Sequence, residues 1–203
     1  MNIVCLDLEG VLVPEIWIEF AALTGIEALR ATTRDIADYD ELMTMRLATL
    51  AQHGLGMRDI NQVIAKMQPL PGAAAFLAAL RAQYQVVILS DTFYEFANPL
   101  MRQLDWPTLF CHSLQCTQTG EITGYQLRMP AHKKAGVQAF KGLNFNVVAA
   151  GDSYNDTGML AAADRGILFN APDNVIKDFP AFAVSHDYDT LSDQIAQGFG
   201  VND

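Results

Sequence analysis

Two carboxylates, Asp7 and Glu9, interrupt an apolar stretch near the start of the chain, VCLDLEGVLVPEIW. The run Ile3 to Leu6 reads as a buried strand, because it is short, apolar and stops at a polar cluster. The acids then stand at a strand's C-terminal end, where an open parallel α/β sheet binds its ligands. Two further clusters end apolar runs in the same way: Ser90 and Asp91 in VVILSDT, and Asp152, Asn155 and Asp156 in AAGDSYNDTGML. Asp7 and Asp152, brought to neighbouring strand ends, repel each other unless a cation separates them, and hard oxygen ligands with open positions suit Mg²⁺. Ser90, with nearby backbone N–H groups at a helix start, can hold phosphate oxygens. Lys133 or Lys134, in AHKKAG, offers a cation for charge developing on a phosphoryl group. A carboxylate nucleophile, a metal, hydroxyl and amide donors and a lysine make a phosphoryl-transfer site.

The elements that must position these residues alternate along the chain. Apolar runs at Ile3 to Leu6, Val86 to Leu89, Val147 to Ala150 and Ile167 to Phe169 are separated by helical patterns such as Gly72 to Gln83, with its Phe76, Leu77 and Leu80 stripe. This predicts an α/β fold, a Rossmann-like parallel sheet with flanking helices. A plain crossover needs about 30 residues in all, and the stretch from Leu6 to Val86 is far longer. From Pro14 to Met67 it reads as successive helices: one from Pro14 toward Gly25, one from Asp40 to Gln52, and one from Met57 to Met67. The expected organisation is a core of residues 1–13 and 71–203 with a small helical cap, 14–70, inserted after the first strand. Thr119-Gly120, between β-prone runs in residues 109–127, predicts a hairpin.

Composition narrows the function classes. The chain has 203 residues, 51% hydrophobic, enough for one sizeable core or a core with a small inserted unit. Apolar runs fall short of the about 20 residues a membrane helix needs, and no basic segment precedes a signal-peptide core, so a cytoplasmic protein is expected. A net charge of −10 argues against nucleic acid as a partner. Cys5, Cys111 and Cys116 lack the paired spacing of a zinc site and read as reduced packing groups. The four histidines, His53, His112, His132 and His186, show no ligand spacing. GLG at residues 54–56 follows a helix rather than a strand and is discounted for dinucleotide binding.

The series DLEGV, ILSDT, a lysine, then GDSYND resembles the four motifs of the haloacid dehalogenase-like phosphatases over nearly the whole chain. DLEGVLVPEIW, the helical cap and SDTFYEF are closer still to the bacterial bifunctional phosphoserine phosphatase/homoserine phosphotransferases. The resemblance implies Asp7 as a nucleophile that becomes an aspartyl-phosphate, and Glu9 as general acid/base where most of the family has aspartate. It implies Mg²⁺ held by Asp7, the Glu9 carbonyl and Asp152, with Asp156 standing behind them. Ser90 and Lys133 would contact phosphate, Asp91 would also belong to the substrate-binding set, Asn155 would orient substrate, and Lys134 competes with Lys133. In the cap, Glu15 and Arg46 would read the amino-acid end of phosphoserine or homoserine, Arg46 because it shares the apolar face of Leu42 and Leu50. A same-fold phosphatase for a nucleotide or sugar phosphate is the alternative. A phospho-accepting signalling module is a third reading, disfavoured by the cap and by Glu9.

Overall fold

Alternation of side chains along the central strands divides the hydrophobic core into two layers. In β1 (Asn2–Leu6), Val4 and Leu6 face one layer while Ile3 and Cys5 face the other. β2 (Gln85–Phe93) repeats the pattern with Val86 and Ile88 against Val87 and Leu89, and β5 (Asn146–Gly151) with Val148 and Ala150 against Val147 and Ala149. Strands buried on both faces have no polar side to show, which is why they appear in the sequence as unbroken apolar runs.

The computed structural model describes residues 1–32, 35–36 and 38–200; residues 33, 34 and 37, within the 14–70 segment, and residues 201–203 lie outside the description. Seven strands form one sheet in the order β4-β3-β2-β1-β5-β6-β7, completed by β3 (Thr108–Cys116), β4 (Ile122–Gln126), β6 (Arg165–Phe169) and β7 (Ala183–Ser185). All neighbours pair in parallel except β3 and β4, the expected hairpin, whose turn contains Gly120 at φ +87°. The chain order reverses on either side of β1, so the cleft at the C-terminal ends of β2, β1 and β5 is the ligand position for such a sheet. The register is close: Leu6 lies opposite both Ile88 and Ala150, so Asp7, Ser90 and Asp152 emerge together.

The long segment after β1 carries α1 (Ile16–Thr24), a 3₁₀ turn at Glu27–Arg30, α2 (Tyr39–Gln52) and α3 (Met57–Ile64). Gly25 stops α1 in the left-handed conformation, φ +69°, with its N–H on Ala21 O, as its position predicts. These helices do not float above the sheet. Trp17, Phe20, Met43, Leu50, Ile60 and Ile64 belong to the same buried cluster as Leu6, Ile88 and Phe96. α4 (Ala73–Gln83), α5 (Tyr94–Gln103) and α9 (Tyr188–Gly198) complete that layer, while α6 (His132–Gly142), α7 (Thr157–Ala162) and α8 (Asp173–Asp178) cover the other face. Cys5 and Cys111 are buried free thiols and Cys116 is exposed.

Two expectations change. The apolar run that marks β2 ends at Leu89, but the strand continues to Phe93 through an irregular register with β3. Ser90, Asp91 and Thr92 are therefore strand residues, and α5 begins only at Tyr94, so Ser90 does not sit at a helix start and Asp91-Thr92 does not cap one. The reason is burial: Ser90, Thr92 and Phe93 pack inside, which keeps the backbone extended. Beyond Phe169 the sequence assigns no element, and the structure adds α8, β7 and α9.

Gly151, the last residue of β5, is a tight point. A Cβ there would overlap the carboxyl carbon of Asp156, a fully buried side chain with no room to yield. Gly151→Ala should lower stability by about 1–3 kcal/mol, the usual cost of overpacking. A lower urea midpoint at unchanged slope is the expected reading; a wild-type midpoint would show that Asp156 is free to move.

Candidate active site

Around Asp7 the fold gathers most of the residues named from the sequence. Asp7, Glu9, Glu15, Arg46, Ser90, Asp91, Lys133, Asp152 and Asn155 all line one cavity of about 330 Å³, in the size range of small-molecule sites. Asp156 lies behind it, completely buried.

Its centre is an ammonium among carboxylates. Lys133 Nζ stands 2.8 Å from Asp156 Oδ1, 3.0 Å from Asp7 Oδ1 and 3.1 Å from Asp91 Oδ2, and the lysine is only 4% exposed. Burial alone would depress its pKa, but Asp156, Asp7 and Asp91 outweigh that and hold it well above the usual lysine range. Lys134, next in the helix, does not line this cavity; a second cavity beside it is lined by both lysines. Asp156 is fully engaged: its Oδ2 accepts the N–H of Asp152 at 3.0 Å and of Ser153 at 3.1 Å. It fixes the loop after β5 and places Lys133.

The remaining acids carry excess negative charge. Asp7 is raised well above an ordinary aspartate by burial and by Asp156, Asp152 and Asp91, against the opposing pull of Lys133. Asp152 is pushed up to about 7 by burial, Asp156 and Glu15. Carboxylates of Asp7, Asp152 and Asp156 approach within 4.8 Å of one another, and the single lysine does not balance them. This all-oxygen set fits a hard divalent cation. Gly10, at φ +77°, leaves the space that Asp152 fills: a Cβ there would overlap its carboxylate.

Glu9 reaches the start of α1, where its Oε2 accepts the N–H of Ile16 at 2.9 Å, and the Thr92 hydroxyl also bonds it. Helix and acid therefore position each other, the N–H being one a helix start leaves without an intrahelical acceptor. Burial still raises the Glu9 pKa despite these bonds.

α1 and α2 also contribute to the lining. Arg46 is 7% exposed, with its guanidinium carbon 4.5 Å from the Trp17 ring centroid and Nη2 donating to Ala31 O at 2.9 Å. Burial lowers its pKa to about 10, opposed by Glu9, Tyr39 and Glu15. It is a wall residue, not a stem lying along the surface. Trp17, Tyr39 and Thr92 also line the cavity and went unread in the sequence, where each passes for a packing or turn residue.

The Asp91 carboxylate is held by protein groups. Oδ2 accepts Asn155 Nδ2 at 2.8 Å as well as Lys133, and Oδ1 accepts His132 Nε2 at 3.0 Å. His112 and His132, unremarkable in the sequence, lie with ring centroids 4.5 Å apart.

Lys133→Met would leave buried carboxylates uncompensated and should destabilise the protein by about 3–5 kcal/mol at pH 8. Without the ammonium their folded pKa values rise further above the unfolded ones, so the folded state holds more protons and its stability falls as pH rises. Urea melts should show a smaller loss at pH 5 than at pH 8; equal losses would mean that the lysine acts by packing alone.

Comparison with known proteins agrees with this site. A haloacid dehalogenase-like hydrolase model matches residues 1–164. The chain is 60% identical over 191 residues to phosphoserine phosphatase ThrH of Pseudomonas aeruginosa, covering 94% of this chain and 93% of that protein. It is also 60% identical to a phosphoserine phosphatase of Pseudomonas syringae pv. tomato, covering 94% and 81%. A phosphoserine phosphatase solved as a phospho-aspartyl intermediate analogue shares the fold, with TM-score 0.79, 19% identity, and 95% and 98% coverage. With motif order, sheet topology and strand-end acids in agreement, the chain belongs to the haloacid dehalogenase-like hydrolase family.

Proposed function

We propose that this protein is a Mg²⁺-dependent phosphoserine phosphatase that also passes the phosphoryl group to homoserine. The carrying observation is that one cavity is lined by Asp7, Glu9, Lys133 and Asp152, groups suited to phosphoryl chemistry, and also by Glu15 and Arg46, a pair suited to the amino-acid end of a substrate. The names of the two Pseudomonas relatives support the substrate.

Asp7 and Asp152, with the Glu9 carbonyl, would hold the ion, and Asp156 keeps its place behind them. The bound cation supplies charge neutralisation for the acids and for the phosphoryl oxygens. Asp7 Oδ1 is engaged by the Leu8 N–H and Lys133, so Oδ2 attacks phosphorus. The bond from phosphorus to the serine oxygen breaks as the aspartyl-phosphate forms, and Glu9 gives its proton to the leaving alkoxide. A raised pKa suits Glu9 to that role, since it keeps the acid protonated nearer neutral pH. The resulting carboxylate then takes a proton from water or from a homoserine hydroxyl, whose oxygen attacks phosphorus and releases Asp7. The helices of residues 14–70 serve as the cap over the core formed by residues 1–13 and 71–203, with Arg46 meeting the α-carboxylate and Glu15 the α-ammonium.

Arg46→Ala should raise KM for phosphoserine about tenfold or more, the loss expected for one charge-assisted contact, and leave KM for p-nitrophenyl phosphate nearly unchanged. Equal effects on both would assign Arg46 to packing or to the phosphate.

With phosphoserine as donor and millimolar homoserine, mass spectrometry should find phosphohomoserine while free phosphate falls, because a positioned alcohol outcompetes water. Serine and inorganic phosphate alone would leave a plain phosphatase.

A further inference from the structure

Of the three carboxylates on Lys133, Asp91 is the outlier. Its side chain is 31% exposed, against 5% for Asp7 and 0% for Asp156. An ammonium has three hydrogens, and all three are spent on acids. A phosphate that is to receive one must displace a carboxylate. Asp7 and Asp156 are sealed in, so Asp91 is the partner that can leave.

The surroundings of Asp91 are arranged for that departure. Its backbone is pinned, since the Tyr39 hydroxyl donates to Asp91 O at 3.0 Å, so only the side chain need turn. Behind it, on the side away from Asp7, lies a second cavity of about 780 Å³ to which Asp91, His112 and His132 contribute walls. His132 Nε2 already donates to Oδ1. His112 Nδ1 accepts the Arg128 N–H at 3.1 Å, which puts the hydrogen of the neutral ring on Nε2. That Nε2 stands 3.6 Å from Asp91 Oδ1, short of a good hydrogen bond. A small swing toward the histidines would complete it. The carboxylate keeps its bond to His132 and gains one to His112, which offsets part of what it loses on Lys133 and Asn155.

We propose that Asp91 is a displaceable counter-anion, carried by Lys133 and Asn155 until a phosphate dianion moves it onto His112 and His132. The proposal deepens the functional reading above and rests on it for the role of Lys133 toward the phosphoryl group. Its consequence is selectivity. A carboxylate arriving at Lys133 exchanges one single charge for another and gains nothing; a phosphate dianion brings a second charge and wins. Phosphoserine has an anion at each end, and Asp91 ensures that the phosphate end, not the carboxylate end, reaches Asp7.

The test measures hydrolysis of p-nitrophenyl phosphate in Mg²⁺ buffer, with inorganic phosphate and acetate as competing anions. Asp91→Asn keeps the shape and removes the charge. It should tighten both anions, by up to about fivefold, the scale of one partly exposed ion pair. His132→Phe should raise KM in the wild-type background and do nothing in the Asp91→Asn background, a coupling that a packing role would not produce. In ¹⁵N-histidine-labelled wild-type protein, which avoids any question of folding, saturating phosphate should shift the His112 Nε2 resonance. Unchanged anion affinities in Asp91→Asn, equal His132→Phe effects in both backgrounds, or a still His112 signal would each overturn the displacement. Phosphoserine separates this from the underlying reading: wild-type protein that cleaves p-nitrophenyl phosphate but releases no phosphate from phosphoserine fails that reading, while the anion affinities still decide the displacement.

Discussion

The site depends on one buried ammonium. Lys133 is held among Asp7, Asp91 and Asp156 within 3.1 Å, and the rest of the constellation follows from keeping that cluster solvable in a medium that solvates charge poorly. A lone lysine at that depth would lose its proton; three carboxylates alone would take protons up. Together each sign of charge offsets part of the other's cost of burial. The acids still outnumber the cation, and the surplus appears as the raised pKa values of Asp7 and Asp152. This unpaid electrostatic demand is what draws a metal and a phosphate into one place.

The scaffold meets the demand through register. Because β2 and β5 both pair with β1, residues remote in sequence leave the sheet at one level. Side-chain period and strand pairing fix which residues face the two layers of the core, and the strand ends fix what faces the cleft. Gly10 and Gly151 then supply the two spots where a Cβ would collide with Asp152 or Asp156. Backbone spared at these points is what lets carboxylates pack this closely.

Legibility in the sequence followed the same physics. β1, β2 and β5 were readable because burial on both faces leaves uninterrupted apolar runs, and the acids were readable because they end those runs. Family resemblance added what spacing could not, the choice of Lys133 over Lys134; of the two, Lys133 lines the cavity around Asp7. β7 was not readable: three residues, two of them half-buried, leave too short a pattern. The extension of β2 past Ser90 was hidden because polar residues there are buried by tertiary packing. The His112–His132 pair was invisible for another reason. One residue sits on β3 and the other opens α6, and only the fold brings their rings together.

The helices that roof the cavity share one continuous hydrophobic cluster with the sheet. Lifting them as a rigid body would expose Trp17, Phe20 and Met43 to water, each costing about 1.5–3 kcal/mol. Such an excursion belongs to the slow, rarely populated end of native-state opening. Amide hydrogens of α1 and α2 should then exchange on the timescale of the central strands.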